Sequence, residues 1–336
     1  MTNGKVFAAR WLAGVALAAI TAVSAARAEP GHHRILMVSK QAGNAYFAAA
    51  EAGASKAAAE LGDTIIFNSP ANATASEQAQ IIDSAIAQHV NGIILSAIDP
   101  NAVVPDMQRA LKQHIRAVTY DADINKSGRL AMAMQATSEG IGETLAQVMC
   151  EVVPNCSGPI AIESSEPDSP NLSVWVHWIN VELAKPKYKN LHVVETAYAG
   201  ETDSGAYTTA QAILKAHPDL VGLIVPGSVQ VAAAARAFDD EHVVGKVQLT
   251  GLGLPSELKS YVANGTIKKF VIWSPYDLGY MAVYLDEDLI DGTLKPVPGA
   301  SFKAGVLGPR TVGPDNVVLL GPPLTVDGSN IGSLNF

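Results

Sequence analysis

Cysteine is nearly absent: Cys150 and Cys156 are the only two in 336 residues. Two thiols alone define no metal site. Equally absent are a G-x-S-x-G elbow, an H-E-x-x-H pair and a G-x-x-x-x-G-K-[ST] loop. The only glycine-spaced candidate, Gly251-Leu-Gly253, lacks the third glycine of a dinucleotide loop. The chain therefore gives no sign of a cofactor or a metal, and these absences weigh against an enzyme. No apolar run after Glu29 reaches the roughly 20 residues a membrane-spanning helix needs. Positive charge is also scarce, with 23 Lys and Arg against 32 Asp and Glu, a formal net charge of −9. Such a surface repels nucleic acid and anionic lipid.

The first 28 residues carry the clearest address. Lys5 and Arg10 make a basic start, Trp11 to Ala26 is small and apolar, and Ala26-Arg27-Ala28 fits the A-x-A pattern of signal-peptidase cleavage. An uncleaved anchor is the alternative. Cleavage after Ala28 predicts a periplasmic chain of 308 residues. It removes Lys5, Arg10 and Arg27 and no acid, which moves the charge from −9 to −12. In an oxidising compartment, cysteines six positions apart read as one short-loop disulfide, contributing roughly 2 kcal/mol. Two independent buried thiols are the other reading.

From His33 onward, short β-branched runs alternate with helical patterns, as in parallel sheets covered on both faces by helices. A first series has strands at 34–38, 64–67, 92–96 and 116–120 with helices at 46–61 and 77–89; Pro100 and Asn101 are expected to open the next helix. After Leu130 to Ala136 the pattern repeats, with strands near 159–163, 191–196, 221–225, 247–251 and 270–273. One continuous sheet of more than about ten strands would be unusual, so two doubly wound, Rossmann-like lobes are predicted.

Ligands of open α/β sheets lie beyond the carboxyl ends of the strands. The residues there are Lys40, Tyr46 and Phe47, then Asp99, Asp121 and Asp123, then Asn171 and Trp175, and finally Pro226, Ser228, Leu252, Gly253 and Trp273. Aromatic planes stack on the C–H face of a sugar, and carboxylates accept from its hydroxyls. Asp121 is the strongest candidate, whereas Asp123 suits a loop cap and the His32-His33 pair suits a loose chain end. Proton transfer by Asp121 and Lys40 keeps an exported sugar-modifying enzyme as the alternative of another class.

The stretches Thr250 to Leu258, Gly265 to Phe270, Ile272 to Tyr280 and Ser329-Asn330-Ile331 resemble type I periplasmic solute-binding proteins of ABC importers. Within that class they are similar to the rhamnose-binding and autoinducer-2-binding branch, and the resemblance spans residues 34 to 336. It implies two lobes joined by a three-strand hinge, a small ligand enclosed between them, a permease in the inner membrane as partner, and a monomer. The expected lobes are 29–136 with about 276–305, and 137–275 with about 306–336, crossing near 135–137, 273–275 and 302–308. The branch's ligand residues fall on Lys40, Phe47, Asp121, Asn171, Pro226 and Ser228. Asn171-Leu172 replaces the Asp-Gln of autoinducer-2 binders. Compared with ribose binders, Ala122, Gly253 and Trp273 replace an arginine, an aspartate and a glutamine. A less charged pocket and a partly apolar ligand are expected, with a 6-deoxy sugar such as rhamnose ahead of autoinducer-2 or another polyol.

Overall fold

A computed structural model describes residues 1–2, 33–334 and 336. The expected signal peptide lies outside the described residues except for its first two. In chain order, the first half runs β1 (Arg34–Val38), α1 (Ala45–Leu61), β2 (Thr64–Asn68), α2 (Ala75–Ala87), β3 (Gly92–Leu95), α3 (Val104–Lys112), β4 (Arg116–Tyr120) and β5 (Ala131–Met134). The second series is α4 (Ser138–Val152), β6 (Gly158–Ser164), α5 (Leu172–Leu183), β7 (Leu191–Tyr198), α6 (Asp203–Ala216), β8 (Gly222–Val225), α7 (Ser228–Asp240), β9 (Gln248–Gly251), α8 (Pro255–Ala263) and β10 (Lys269–Ile272). The chain ends with α9 (Pro275–Ile290), β11 (Ser301–Lys303), β12 (Pro309–Thr311), β13 (Val317–Leu319) and β14 (Leu324–Asp327).

Ten of these strands form two parallel sheets, ordered β13-β5-β4-β3-β1-β2 and β7-β6-β8-β9, and the other four form two antiparallel pairs. Near-continuous apolar strands such as Ile93–Leu95 and Leu223–Val225 are buried on both faces, which is what helices on either side of a parallel sheet require. In the first lobe α1 packs on α9, and Gly53 and Gly279 permit the close approach. A Cβ on either would run into the backbone of the opposite helix. Gly265, with φ +87°, ends α8 in the left-handed conformation that glycine adopts without strain.

The chain crosses between the lobes three times. Residues 135–137 lead from β5 into α4, and Trp273 and Ser274 lead from β10 into α9. The third crossing, residues 320–323, runs from β13 to β14, which pairs antiparallel with β10. This corrects the expected crossing at 302–308. That segment instead joins β11 and β12 into a hairpin, and its Val306 N–H donates to the Tyr280 hydroxyl of α9 at 3.2 Å. Residues 306–319 therefore belong to the first lobe, not the second. Leu320 N–H donates to Met134 O at 2.8 Å, so the first and third crossings run side by side. A second correction concerns α3. It starts at Val104 with Pro105 in its first turn, because Asp99 accepts from Asn101 N–H and Ala102 N–H at 2.7 Å and shapes Pro100-Asn101 into a preceding turn. Cys150 and Cys156 are disulfide-bonded, linking the end of α4 to the entry of β6.

Candidate functional site

Each sheet reverses its winding once, at β1/β3 in the first lobe and β6/β8 in the second, and such switch points open a crevice at the strands' carboxyl ends. A cavity of about 740 Å³ lies there, between the lobes. Its volume suits a small-molecule site, for which about 300–1,000 Å³ is usual. Lys40, Tyr46, Phe47, Asp121, Asn171, Trp175, Pro226, Ser228, Leu252 and Trp273 all line it, so the structure gathers these residues from both lobes around one cavity.

Asp121 follows β4 in a left-handed conformation, φ +59°, uncommon for a residue with a side chain and a hallmark of functional sites. Its Oδ2 accepts from Ser96 Oγ at 2.8 Å. Burial raises its pKa above the ordinary carboxylate value, while the Lys40 charge and the Ser96 and Tyr46 hydroxyls oppose that rise. Lys40 Nζ donates to Asn171 Oδ1 at 2.9 Å. Asn171 caps α5, its oxygen also accepting from Ser169 Oγ at 3.2 Å and Leu172 N–H at 3.1 Å. The side-chain NH2 is what Asn171 has left to offer a ligand.

Aromatic rings continue the wall from one lobe to the other. Phe47 meets Tyr120 edge-on at 6.2 Å and Tyr46 at 5.2 Å; Tyr46 meets Trp273 at 6.2 Å, and Trp273 meets Trp175 at 5.6 Å. Trp273 Nε1 donates to the Tyr46 hydroxyl at 2.8 Å, fixing the second crossing against α1. Burial, reinforced by the Asp121 charge, pushes the Tyr46 hydroxyl well above its usual range, so it stays neutral. Trp175 is 3% exposed and its Nε1 has no hydrogen-bond partner among the described residues. Polar donors and acceptors thus alternate with ring faces and edges around a space large enough for a monosaccharide, as amphipathic sugars require.

Other strand-end residues have structural duties. Asp123 binds Arg129 through two bonds, at 2.6 and 2.7 Å, and accepts from Thr119 Oγ1 at 2.6 Å. Gly253 is packed against Leu258 and Val231, leaving no room for the aspartate found in ribose binders. Sequence reasoning missed Glu166, Asp168 and Glu201, three acids on the second lobe's side of the cavity, and Gln230. The acids sit in the loops just after β6 and β7, at strand ends where no sequence signal marks which polar residue turns inward. Gln230 lies inside α7 and holds the loop carrying Glu201, through a 2.7 Å bond to Gly200 O.

Two parallel-sheet lobes, three crossings and one interlobe cavity define a ligand-capturing protein of the hinged, two-lobed class. The comparisons agree. A family model described as a periplasmic binding protein domain matches residues 35–294, and the chain belongs to that family. It is a binding protein, not an enzyme. Similar solved structures include a sugar ABC transporter protein from Actinomyces odontolyticus, 34% identical, covering 90% of this chain and 98% of that one with a TM-score of 0.75. An ABC transporter solute-binding protein from Clostridium phytofermentas with bound L-rhamnose is 27% identical over 91% of this chain and 99% of that one, TM-score 0.87. LsrB from Clostridium saccharobutylicum, in complex with AI-2, is 24% identical over 90% and 100%, TM-score 0.85, a likeness of fold.

Proposed function

We propose that this chain captures a small, partly apolar sugar, a 6-deoxy sugar such as rhamnose, and delivers it to the permease of an ABC importer from the periplasm. The observation that carries the reading is the pairing of a buried acceptor and donor, Asp121 and Lys40, with the ring surfaces of Phe47, Trp175 and Trp273 in one cavity. The carboxylate and ammonium serve two or three hydroxyls. The rings suit a face or edge without them, such as a methyl group. Glu166 and Asp168 are exposed and Glu201 only half-buried, so a fully hydroxylated hexose would find few buried charged partners beyond Asp121 and Lys40, and each buried hydroxyl left unmatched costs about 1–3 kcal/mol. The rhamnose-bound relative supports the same class.

Autoinducer-2 stands second. The fold likeness to the AI-2-bound protein favours it, but Leu172, 7% exposed and on the cavity wall, puts an isobutyl group where that branch carries an amide. Delivery from the periplasm rests on family membership and on the signal-like pattern ending at Ala28. Native mass spectrometry of the purified protein should release a co-purifying sugar, and calorimetric titration with rhamnose, ribose, glucose and autoinducer-2 should rank rhamnose first. Tighter binding of ribose or glucose refutes the class.

A further inference from the structure

The first lobe has a second concentration of chemistry at the end opposite the cleft, where its strands begin. Helix α9 runs out through Asp286, Glu287 and Asp288 to its cap Asp291, with no basic residue in the last turn. A helix C-terminus carries the negative end of the dipole and favours basic residues, so this ending accumulates negative charge. Part of that charge is withdrawn from water. Glu287 is 4% exposed, and its Oε2 has no hydrogen-bond partner among the described residues. Asp63, just past α1, adds a carboxyl whose Oδ2 is also buried and without a partner, while its Oδ1 accepts from the His33 backbone N–H at 2.9 Å. That bond lays the His33 ring over the acids. Nε2 stands 3.0 Å from Asp291 Oδ1 and 3.8 Å from Glu287 Oε1.

Burial, and after it the neighbouring Asp63, raise the Glu287 pKa to about 9, so without a cation this carboxyl holds a proton that a bound cation would displace. Arg116 is spoken for: its charge acts on the neighbouring Asp286, and its Nε donates to Leu289 O at 3.0 Å. We propose that His33, Glu287 and Asp291, backed by Asp63, form a binding site for a divalent transition cation such as Zn2+. Three ligand atoms, one from each of His33, Glu287 and Asp291, lie within 4.8 Å of one another. The 3.0 and 3.8 Å separations bracket the roughly 3.4 Å between ligands of a tetrahedral ion held at about 2.1 Å. One imidazole nitrogen among carboxylate oxygens suits zinc-like ions, whereas calcium and magnesium prefer oxygen throughout. The ion would clasp the residue preceding β1 to the end of α9, 258 positions later in the chain.

The test uses protein without a histidine tag, stripped with chelator and titrated with ZnCl2 in a calorimeter, with melting temperature read in parallel. One equivalent of Zn2+ per chain with a raised melting temperature is expected. His33→Ala and Glu287→Gln should each weaken binding at least tenfold. Asp291→Asn, at the more exposed helix end, replaces Glu287→Gln if that variant does not fold. Absence of saturable Zn2+ binding, or equal binding by the variants, overturns the site; His33 and Asp291 then form an ordinary hydrogen bond and Glu287 holds a proton. Equal affinity for CaCl2 or MgCl2 overturns the transition-cation class.

Discussion

Lys40 and Asn171 meet across the cleft: the ammonium of the first lobe donates to the amide oxygen of the second at 2.9 Å, with both residues more than nine-tenths buried. The bond joins the lobes through two side chains that also face the cavity, so closure and ligand contact share the same atoms. The ammonium is also the charge that opposes the rise in the Asp121 pKa.

Lys40→Met removes a donor and that opposing charge together. Sugar affinity should fall by about ten- to a hundredfold, as for loss of a buried charged hydrogen bond. Without Lys40 the Asp121 pKa moves further up, so the carboxylate protonates earlier as pH falls. Calorimetry at pH 8 and pH 5 should show a larger loss for the variant at pH 5.

Asp121→Ala should weaken binding by tens- to hundreds-fold, since a buried carboxylate holding two hydroxyls contributes roughly 2–4 kcal/mol. Unchanged affinity in a titration of the folded variant would remove Asp121 from the site.

Trp175→Phe separates packing from recognition. The indole N–H has no protein partner among the described residues, so no internal hydrogen bond is lost, and the smaller ring beside Trp273 should lower the melting temperature only by the packing it gives up. Affinity should drop about five- to tenfold, the worth of one hydrogen bond to a ligand. A melting temperature that falls while affinity holds would make Trp175 a core residue.

Glu163, on β6, is fully buried with both carboxyl oxygens lacking partners among the described residues, and burial raises its pKa from 4.5 to about 8. The folded state keeps a proton that the unfolded chain releases above about pH 4.5. Stability is therefore fully present at acid pH and declines as pH rises toward 8, by up to about 1.4 kcal/mol per unit. Glu163→Gln should melt like the parent near pH 4.5 and higher than the parent at pH 8. Parallel melting curves across that range check the sign.

Replacing Cys150 and Cys156 with serine should lower stability by roughly 2 kcal/mol without changing sugar affinity. The bridge joins the end of α4 to the start of β6, remote from the strands' carboxyl ends. Denaturant unfolding and a sugar titration on the same variant measure both.

The strand-end positions were readable because a doubly wound sheet puts them on one side, so Lys40, Asp121, Asn171 and Trp273 needed only element boundaries to be found. Glu166, Asp168 and Glu201 lie just past β6 and β7, where the same rule applies, but each of those loops carries several polar residues and periodicity does not encode which of them turns toward the cavity. The third crossing was misplaced for a related reason. β13 has only three residues in a glycine- and proline-rich tail, and it joins the first sheet through pairing with β5, a long-range contact without local signal. His33 read as part of a loose end; its place beside Asp291 arises from α9, far along the chain.

The position of β13 also orders events in time. The first lobe begins at β1, yet its sheet is completed by residues 317–319 and its β3, β4 and β5 are covered by α9, all emerging after the second lobe's four-stranded sheet and β10. During synthesis or threading from the amino end, the early strands wait with exposed apolar edges and faces until the last few dozen residues arrive. The second lobe can assemble most of its own sheet meanwhile. For a chain exported unfolded, such an order of assembly would withhold the tertiary lock on the first lobe until the carboxyl-terminal residues are available.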